Sequence, residues 1–261
     1  MSNERWIQLD GVVNMRDLGG LPTRESGVTA PRRLIRSDNL QDLSAADVRR
    51  LIDELGVTDI VDLRSQLEYH TTGPGPLRAT ALRHHHHSFL RDDTHDVTAA
   101  EALALKPRFG PGDGDRTEDY WSRHYLGYLR GRPDSVSAAL EVIATSEGAT
   151  VVHCAAGKDR TGTVIGLALD VAGVPAEEII ADYVASAQRI EQIIERLMHV
   201  PPYNTALQRR SIAEQTPQPP AMEAILSYLH TEYQGAGGWL VAHGWTEEQV
   251  DGLRRSLVTP A

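Results

Sequence analysis

Residues 151–162 read VVHCAAGKDRTG: two valines, a histidine, a cysteine, five residues centred on a glycine, an arginine, then threonine and glycine. The apolar β-branched run predicts a strand over Ala149–Val152 that stops at the turn. Beyond the arginine, Val164, Ile165, Leu167, Ala168 and Val171 share one helical face, and Gly173 is a natural stop, so a helix is predicted over 160–172. Strand, tight turn and helix in that order form an anion cradle. The first amides of a helix have no intrahelical acceptor and carry the positive end of its dipole. Gly157 lets the backbone turn sharply there, where a Cβ would obstruct it.

The residue types in this cradle point to one chemistry. Five residues separate Cys154 from Arg160, enough to wrap amides around a tetrahedral phosphate. A thiol in that field is expected to ionise readily and to be a strong nucleophile. The planar fork of Arg160 suits two equatorial oxygens of a phosphoryl group in transfer. Thr161 is expected to donate a hydroxyl hydrogen bond to the sulfur. Asp159 offers a carboxyl that can protonate a leaving oxygen and later activate water. A nucleotide-binding Walker loop does not fit: Val152 stands where its first glycine belongs, and Asp159 follows Lys158 where Ser or Thr is needed. An ordinary buried cysteine before a strand-to-helix turn is the plainer alternative. It leaves the glycine, arginine and threonine at these offsets unexplained.

Cys154 is the one cysteine in 261 residues, which excludes an internal disulfide framework and suits a reducing cytoplasm. It also leaves oxidised Cys154 without an intramolecular resolving thiol, so its sulfenic acid is expected to condense with a backbone nitrogen or to oxidise further. A net charge of −10 argues against general affinity for nucleic acid or anionic membranes, and requires any anion site to be made positive locally. Lysine occurs only at positions 106 and 158, which singles out Lys158 beside the cradle. Hydrophobic residues make up 41% and charged residues 24%, the balance of a globular chain. No apolar stretch approaches the ~20 residues of a membrane span, and MSNERWIQLDGVV has no apolar core of a secretory signal.

Elsewhere the chain alternates strands and helices, predicting an α/β domain with a mainly parallel, twisted central sheet flanked by helices. Short strands and turns are read over 11–40. Ser44 caps a helix over 44–56, and Val57–Leu63 is a buried strand. Further helices are predicted at 134–146, 176–198, 219–234 and 246–256. Residues 71–125, with TTGPGPLR and FGPGDGDR, read as a variable insertion in a single domain spanning 1–261.

HCAAGKDRTG resembles the H-C-x5-R-[ST] signature of cysteine-based phosphatases. Asn14–Gly20, Leu34–Ser37, Val61–Ser65, Ala181–Tyr183, and Tyr233 with Gly237–Leu240 are similar to one bacterial branch of tyrosine, dual-specificity and lipid phosphatases, typified by mycobacterial protein-tyrosine phosphatase B. The likeness spans most of the chain and weakens between 71 and 125. It implies a protein-tyrosine-phosphatase-like domain, a cysteinyl-phosphate intermediate and no metal or cofactor. Activity on phosphotyrosine is implied, sometimes on phosphoserine or phosphothreonine, and often on phosphoinositides. It also implies a helical lid, whose counterpart is 185–225. Cys154 and Arg160 become the catalytic pair, with His153, Ala155, Ala156, Gly157, Lys158, Thr161 and Gly162 holding the substrate phosphate. Lys158 matches a lysine of phosphoinositide phosphatases, whereas Ala155 departs from their dual-lysine pattern.

Asp159 is the expected acid, against the plainer reading of a salt bridge at a helix start. Asp92, beside Asp93, is the alternative, against a solvated acidic loop. Asp62 reads as a partner for Arg64 or Arg36. His84–His87 cannot all reach one metal from a strand, because consecutive side chains face opposite ways. They read as unspecialised loop or strand residues, with a metal site or a positive rim as lesser options. His153 is expected to orient the loop or assist the thiol. Arg209 and Arg210 read as a solvated helix face rather than headgroup ligands. Two rivals stand beside a protein or lipid phosphatase: a phosphatase of nucleotides, sugars or biosynthetic intermediates, and a module that binds phosphorylated partners without turnover.

Overall fold

The computed structural model describes residues 5–90, 118–207 and 211–260. The N-terminal half comprises β1 (Arg16–Asp17), β2 (Gly27–Thr29), β3 (Leu34–Ser37), α1 (Ala45–Arg49), β4 (Val57–Asp62), α2 (Gln66–Thr72) and β5 (Arg83–His86). Then come α3 (Glu118–Gly131), α4 (Pro133–Thr145), β6 (Ala149–His153), α5 (Asp159–Val171), α6 (Ala176–Ala185), α7 (Ile190–Met198) and α8 (Tyr203–Leu207). The chain ends with α9 (Ile212–Gln215), α10 (Pro219–Tyr233), α11 (Ala236–Ala242), α12 (Glu247–Leu257) and β7 (Val258–Pro260).

Five strands form a sheet in the order β1-β3-β6-β4-β5. The β3–β6, β6–β4 and β4–β5 pairs are parallel, and only β1 runs antiparallel to its neighbour. The mainly parallel α/β domain expected from the sequence is therefore present. β6 lies at the centre and every one of its residues is buried. A larger core containing Val61 and Val152 packs one face under α3–α6 and α10–α12, and a smaller one containing Ile60 and Val151 packs the other under α1. This alternation along β6 aims its C-terminal end, and the loop that follows, at the edge where both layers meet.

Three local differences from the sequence reading have physical causes. The helix expected over 44–56 begins at the Ser44–Asp47 capping box but changes to a π turn over Arg50–Glu54, where the Leu55 amide reaches the Arg50 carbonyl. The helix expected over 176–198 breaks into α6, a 3₁₀ turn at Ser186–Arg189 and α7. There Arg16 Nη2 takes the Asp182 carbonyl at 2.7 Å, and the Ser186 amide turns to Tyr183 and Val184 instead. Within 71–125, the described parts include the end of α2, a 3₁₀ turn at Pro76–Ala79, β5 and the start of α3, and β5 holds three of the four histidines of the run.

Candidate active site

The turn between β6 and α5 is shaped by hydrogen bonds to its carbonyls. Asn14 Nδ2 donates to Ala156 O at 2.9 Å and to Gly157 O at 3.2 Å. Arg36 Nη2 donates to Gly157 O at 2.8 Å, and the Asn39 amide to Ala155 O at 3.0 Å. In a trans peptide the N–H points opposite to the C=O. Pulling the carbonyls of Ala155, Ala156 and Gly157 outward therefore turns the amides of Ala156, Gly157 and Lys158 toward the space above Cys154, at the start of the 13-residue α5. Gly157 has φ +65°, and a Cβ there would lie 2.4 Å from Ser37 O.

The donors that shape the turn are themselves fixed by buried charge. Asp182 accepts from Arg16 Nε at 2.9 Å and Arg36 Nη1 at 2.6 Å, and these arginines hold its carboxyl far below the usual range despite burial. Asp38 accepts the backbone amides of Val13 and Asn14 and so sets the segment that carries the Asn14 side chain.

Cys154 is 2% exposed at the floor of the cradle. Arg160 is on the first turn of α5, and both ends of its fork donate to Glu68, Nη1 to Oε2 at 2.5 Å and Nη2 to Oε1 at 2.8 Å. Burial opposes ionisation of Glu68, and Arg160 outweighs it, so the carboxyl is held below its ordinary value. The same pair keeps Arg160 charged despite its burial.

Asp159 accepts a hydrogen bond from Tyr125, whose hydroxyl also meets Tyr183 at 2.7 Å. Its side chain is 25% exposed, and Lys158 Nζ lies 3.6 Å from its carboxylate. Lys158 is buried and donates to Gln215 O at 2.5 Å. A cavity of about 280 Å³ adjoins these groups, lined by Tyr125, Lys158, Tyr183, Ala213, Gln218 and Ala221. Thr161 was expected to donate to the sulfur. Its buried hydroxyl has no hydrogen-bond partner among the described residues.

His153 Nδ1 lies 3.2 Å from its neighbour's carbonyl, Cys154 O, and its Nε2 lies 3.7 Å from Asp62. Burial pushes its pKa down to about 4 against the pull of Asp62. Asp62 pairs with Arg64, as one reading of the sequence had it, and Arg36 instead pairs with Asp182. His84, His85 and His86 lie in the edge strand β5. His84 bonds to Leu77 O, His85 to Asp59 and His86 to Arg64 O. No three metal-ligating side chains are grouped among the described residues. Asp92, Asp93, Arg209 and Arg210 lie outside the described residues.

Helices α7 and α8 cover the turn. Ile193, Leu197 and Tyr203 pack with Ala155, and Ala156 joins the same cluster. Arg196 holds α7 down: its Nη1 donates to Asp38, and its Nη2 donates to Gly11 O at 2.5 Å and Asp42 at 3.0 Å.

The fold thus gathers Cys154, Asp159 and Arg160 with the flanking His153, Ala155, Ala156, Gly157, Lys158, Thr161 and Gly162 in one place. Sequence reasoning missed Glu68, Tyr125, Asn14 and Arg196. Glu68 had a visible signal, since S-x-x-E at 65–68 is a capping box after a strand, but that signal announces a helix start and not a partner 92 residues away. Tyr125 and Arg196 carry no local mark, and Asn14 had only its place in the Asn14–Gly20 stretch, which gave it no role.

Comparison with known proteins agrees with this geometry. A family model described as the tyrosine phosphatase family matches residues 7–259. The chain is 33% identical over 206 residues to the triple specificity protein phosphatase PtpB of Mycobacterium tuberculosis, covering 73% of this chain and 72% of that one. It is 33% identical over 236 residues to a tyrosine-protein phosphatase of Nostoc commune, covering 85% of this chain and 73% of that one. With its cradle intact and the match running nearly end to end, this chain belongs to the tyrosine phosphatase family.

Proposed function

We propose that the protein hydrolyses phosphotyrosine through a phosphate ester of Cys154. The loop amides and Arg160 hold three phosphoryl oxygens. The Cys154 sulfur attacks phosphorus, the P–O bond to the aryl group breaks, and Asp159 gives its proton to the departing oxygen. Water then attacks phosphorus, Asp159 takes the water's proton, the P–S bond breaks and inorganic phosphate leaves. The observation that carries this reading is the outward pinning of the Ala155, Ala156 and Gly157 carbonyls by Asn39, Asn14 and Arg36, which preorganises donors for charge that develops in transfer.

Asp159 is favoured as the acid because it stands one residue from Arg160 with a quarter of its side chain open and a tyrosine hydroxyl steering one oxygen. Ile193 and Leu197 of α7 and Tyr203 of α8 pack on Ala155, beside the buried Cys154, so an aryl phosphate enters when these helices lift and this part of 185–225 acts as a lid. Activity on phosphoserine and phosphothreonine needs no further group. A multiply phosphorylated lipid headgroup would require Lys158 to leave Gln215 O and reach a second phosphate. The lone buried cysteine fits a reducing cytoplasm.

The test is a panel of phosphotyrosine, phosphoserine and phosphothreonine peptides, soluble phosphoinositides and phosphorylated metabolites. Highest kcat/KM on phosphotyrosine peptides is expected. A preference for a metabolite by tenfold or more would contradict the assignment.

A further inference from the structure

Tyr203 begins α8 and is 1% exposed. Its ring packs with Ala155 of the cradle and with Ile193 and Leu197 of α7. Its hydroxyl is buried and has no hydrogen-bond partner among the described residues. A phenol taken out of water without a partner is a net cost to the fold. Burial first, and Glu68 second, push this phenol well above its ordinary pKa, so it remains a donor in need of an acceptor.

The protein acceptors whose charge acts on it are already engaged. Glu68 Oε2 accepts from the Ser65 amide at 2.7 Å and from Arg160, and Oε1 accepts from Arg160. Asp62 is taken by the Arg64 side chain and amide. Arg160 and Arg64 are the neighbouring cations. An acceptor drawn to two guanidinium groups and small enough to lie under closed helices is a tetrahedral oxyanion.

We propose that Tyr203 is a further ligand of the phosphoryl group. With α7 and α8 down, its hydroxyl donates to an oxygen of the phosphorus carried by Cys154, or of the phosphate product. This rests on the phosphatase reading above. It assigns α7 and α8 a contact made after the aryl group has left, since Cys154 is 2% exposed while these helices pack on its neighbour Ala155. Arg196 is its positioning residue, because its bonds to Asp38, Asp42 and Gly11 hold α7 against the cradle.

The experiment measures tungstate and orthovanadate affinity by calorimetry and by competition with aryl phosphate hydrolysis. It uses the wild type, Tyr203→Phe, Arg196→Ala and the double variant. Tyr203→Phe is expected to weaken tungstate about 10-fold, the order of one hydrogen bond to a charged group. Its kcat is expected to fall more than its kcat/KM. Arg196→Ala is expected to weaken tungstate as well, and the double variant no more than the weaker single, since both remove one contact. Unchanged or tighter tungstate binding in Tyr203→Phe overturns the proposal, tighter binding meaning that the ring only blocks the cradle. Should Tyr203→Phe fail to fold, unchanged affinity in Arg196→Ala overturns it. A wild type that neither turns over aryl phosphate nor binds tungstate fells the phosphatase reading and this inference together. A competent wild type matched by Tyr203→Phe fells this inference alone.

Discussion

Both ends of the Arg160 fork rest on Glu68, at 2.5 and 2.8 Å, and Glu68 is also the partner of the N-cap Ser65 in the capping box that starts α2. One carboxylate therefore ties the orientation of the Arg160 fork to the helix that follows β4. Arg160 is aimed before any ligand arrives, which is what electrostatic preorganisation requires.

Glu68→Gln keeps the shape and removes the charge. Arg160 is then left buried without its counter-ion, a loss of about 3–5 kcal/mol. Aryl phosphate kcat/KM is expected to fall about 10- to 100-fold, and the thermal midpoint to drop. Steady-state kinetics with thermal melts checks both. Full activity at an unaltered midpoint would show that the pair is idle.

Gly157→Ala asks for a Cβ at φ +65°, 2.4 Å from Ser37 O and 2.6 Å from Asp38 N. The turn must shift, and with it the inward amides. Oxyanion affinity and turnover are expected to fall at least about 100-fold, while far-UV circular dichroism stays close to wild type. Normal tungstate binding in this variant would contradict the cradle geometry.

Asp159→Asn removes the proposed proton donor and keeps the hydrogen bond to Tyr125 possible. Phenyl phosphate, a poor leaving-group substrate, is expected to slow about 100-fold or more, and a dinitrophenyl phosphate much less. A plot of log kcat/KM against leaving-group pKa reads the difference. Equal slowing across the series assigns the acid role elsewhere.

The pH dependence of stability follows from His153. Its pKa is about 4 in the folded protein against an ordinary 6.5. The unfolded chain thus binds more protons between pH 6.5 and 4, and stability falls as pH drops through that window. The loss is on the order of 3 kcal/mol. His87, also pushed down to about 4, adds in the same direction. Glu68, lowered by Arg160, keeps its contribution above the ordinary carboxylate range and loses it further into acid. Denaturant midpoints at pH 7 and 4.5 are expected to differ, and His153→Gln to flatten the slope. An identical slope in that variant would contradict the assignment.

The cradle was legible because its parts are contiguous: strand, cysteine, glycine, arginine and helix fall within 149–171, and spacing alone states their geometry. β6, α5, α4, α10 and α12 were read from periodicity for the same reason. What was illegible is carried by long-range pairing. Arg16 breaks the 176–198 helix from 166 positions away, and Asn14 reaches the Ala156 carbonyl across 142. His84–His86, ambiguous as composition, became a strand because β4 offered a parallel edge. Thr161 looked like a partner for sulfur, yet its hydroxyl is buried within α5 without one among the described residues.

The central claim is a covalent bond between Cys154 and phosphorus. Rapid acid quench during turnover of an aryl phosphate, followed by peptide mass spectrometry, tests it directly. The account predicts +80 Da on the peptide containing Cys154, absent in Cys154→Ser, which also loses turnover. Sustained turnover by Cys154→Ser, or phosphate found on another residue, would contradict it.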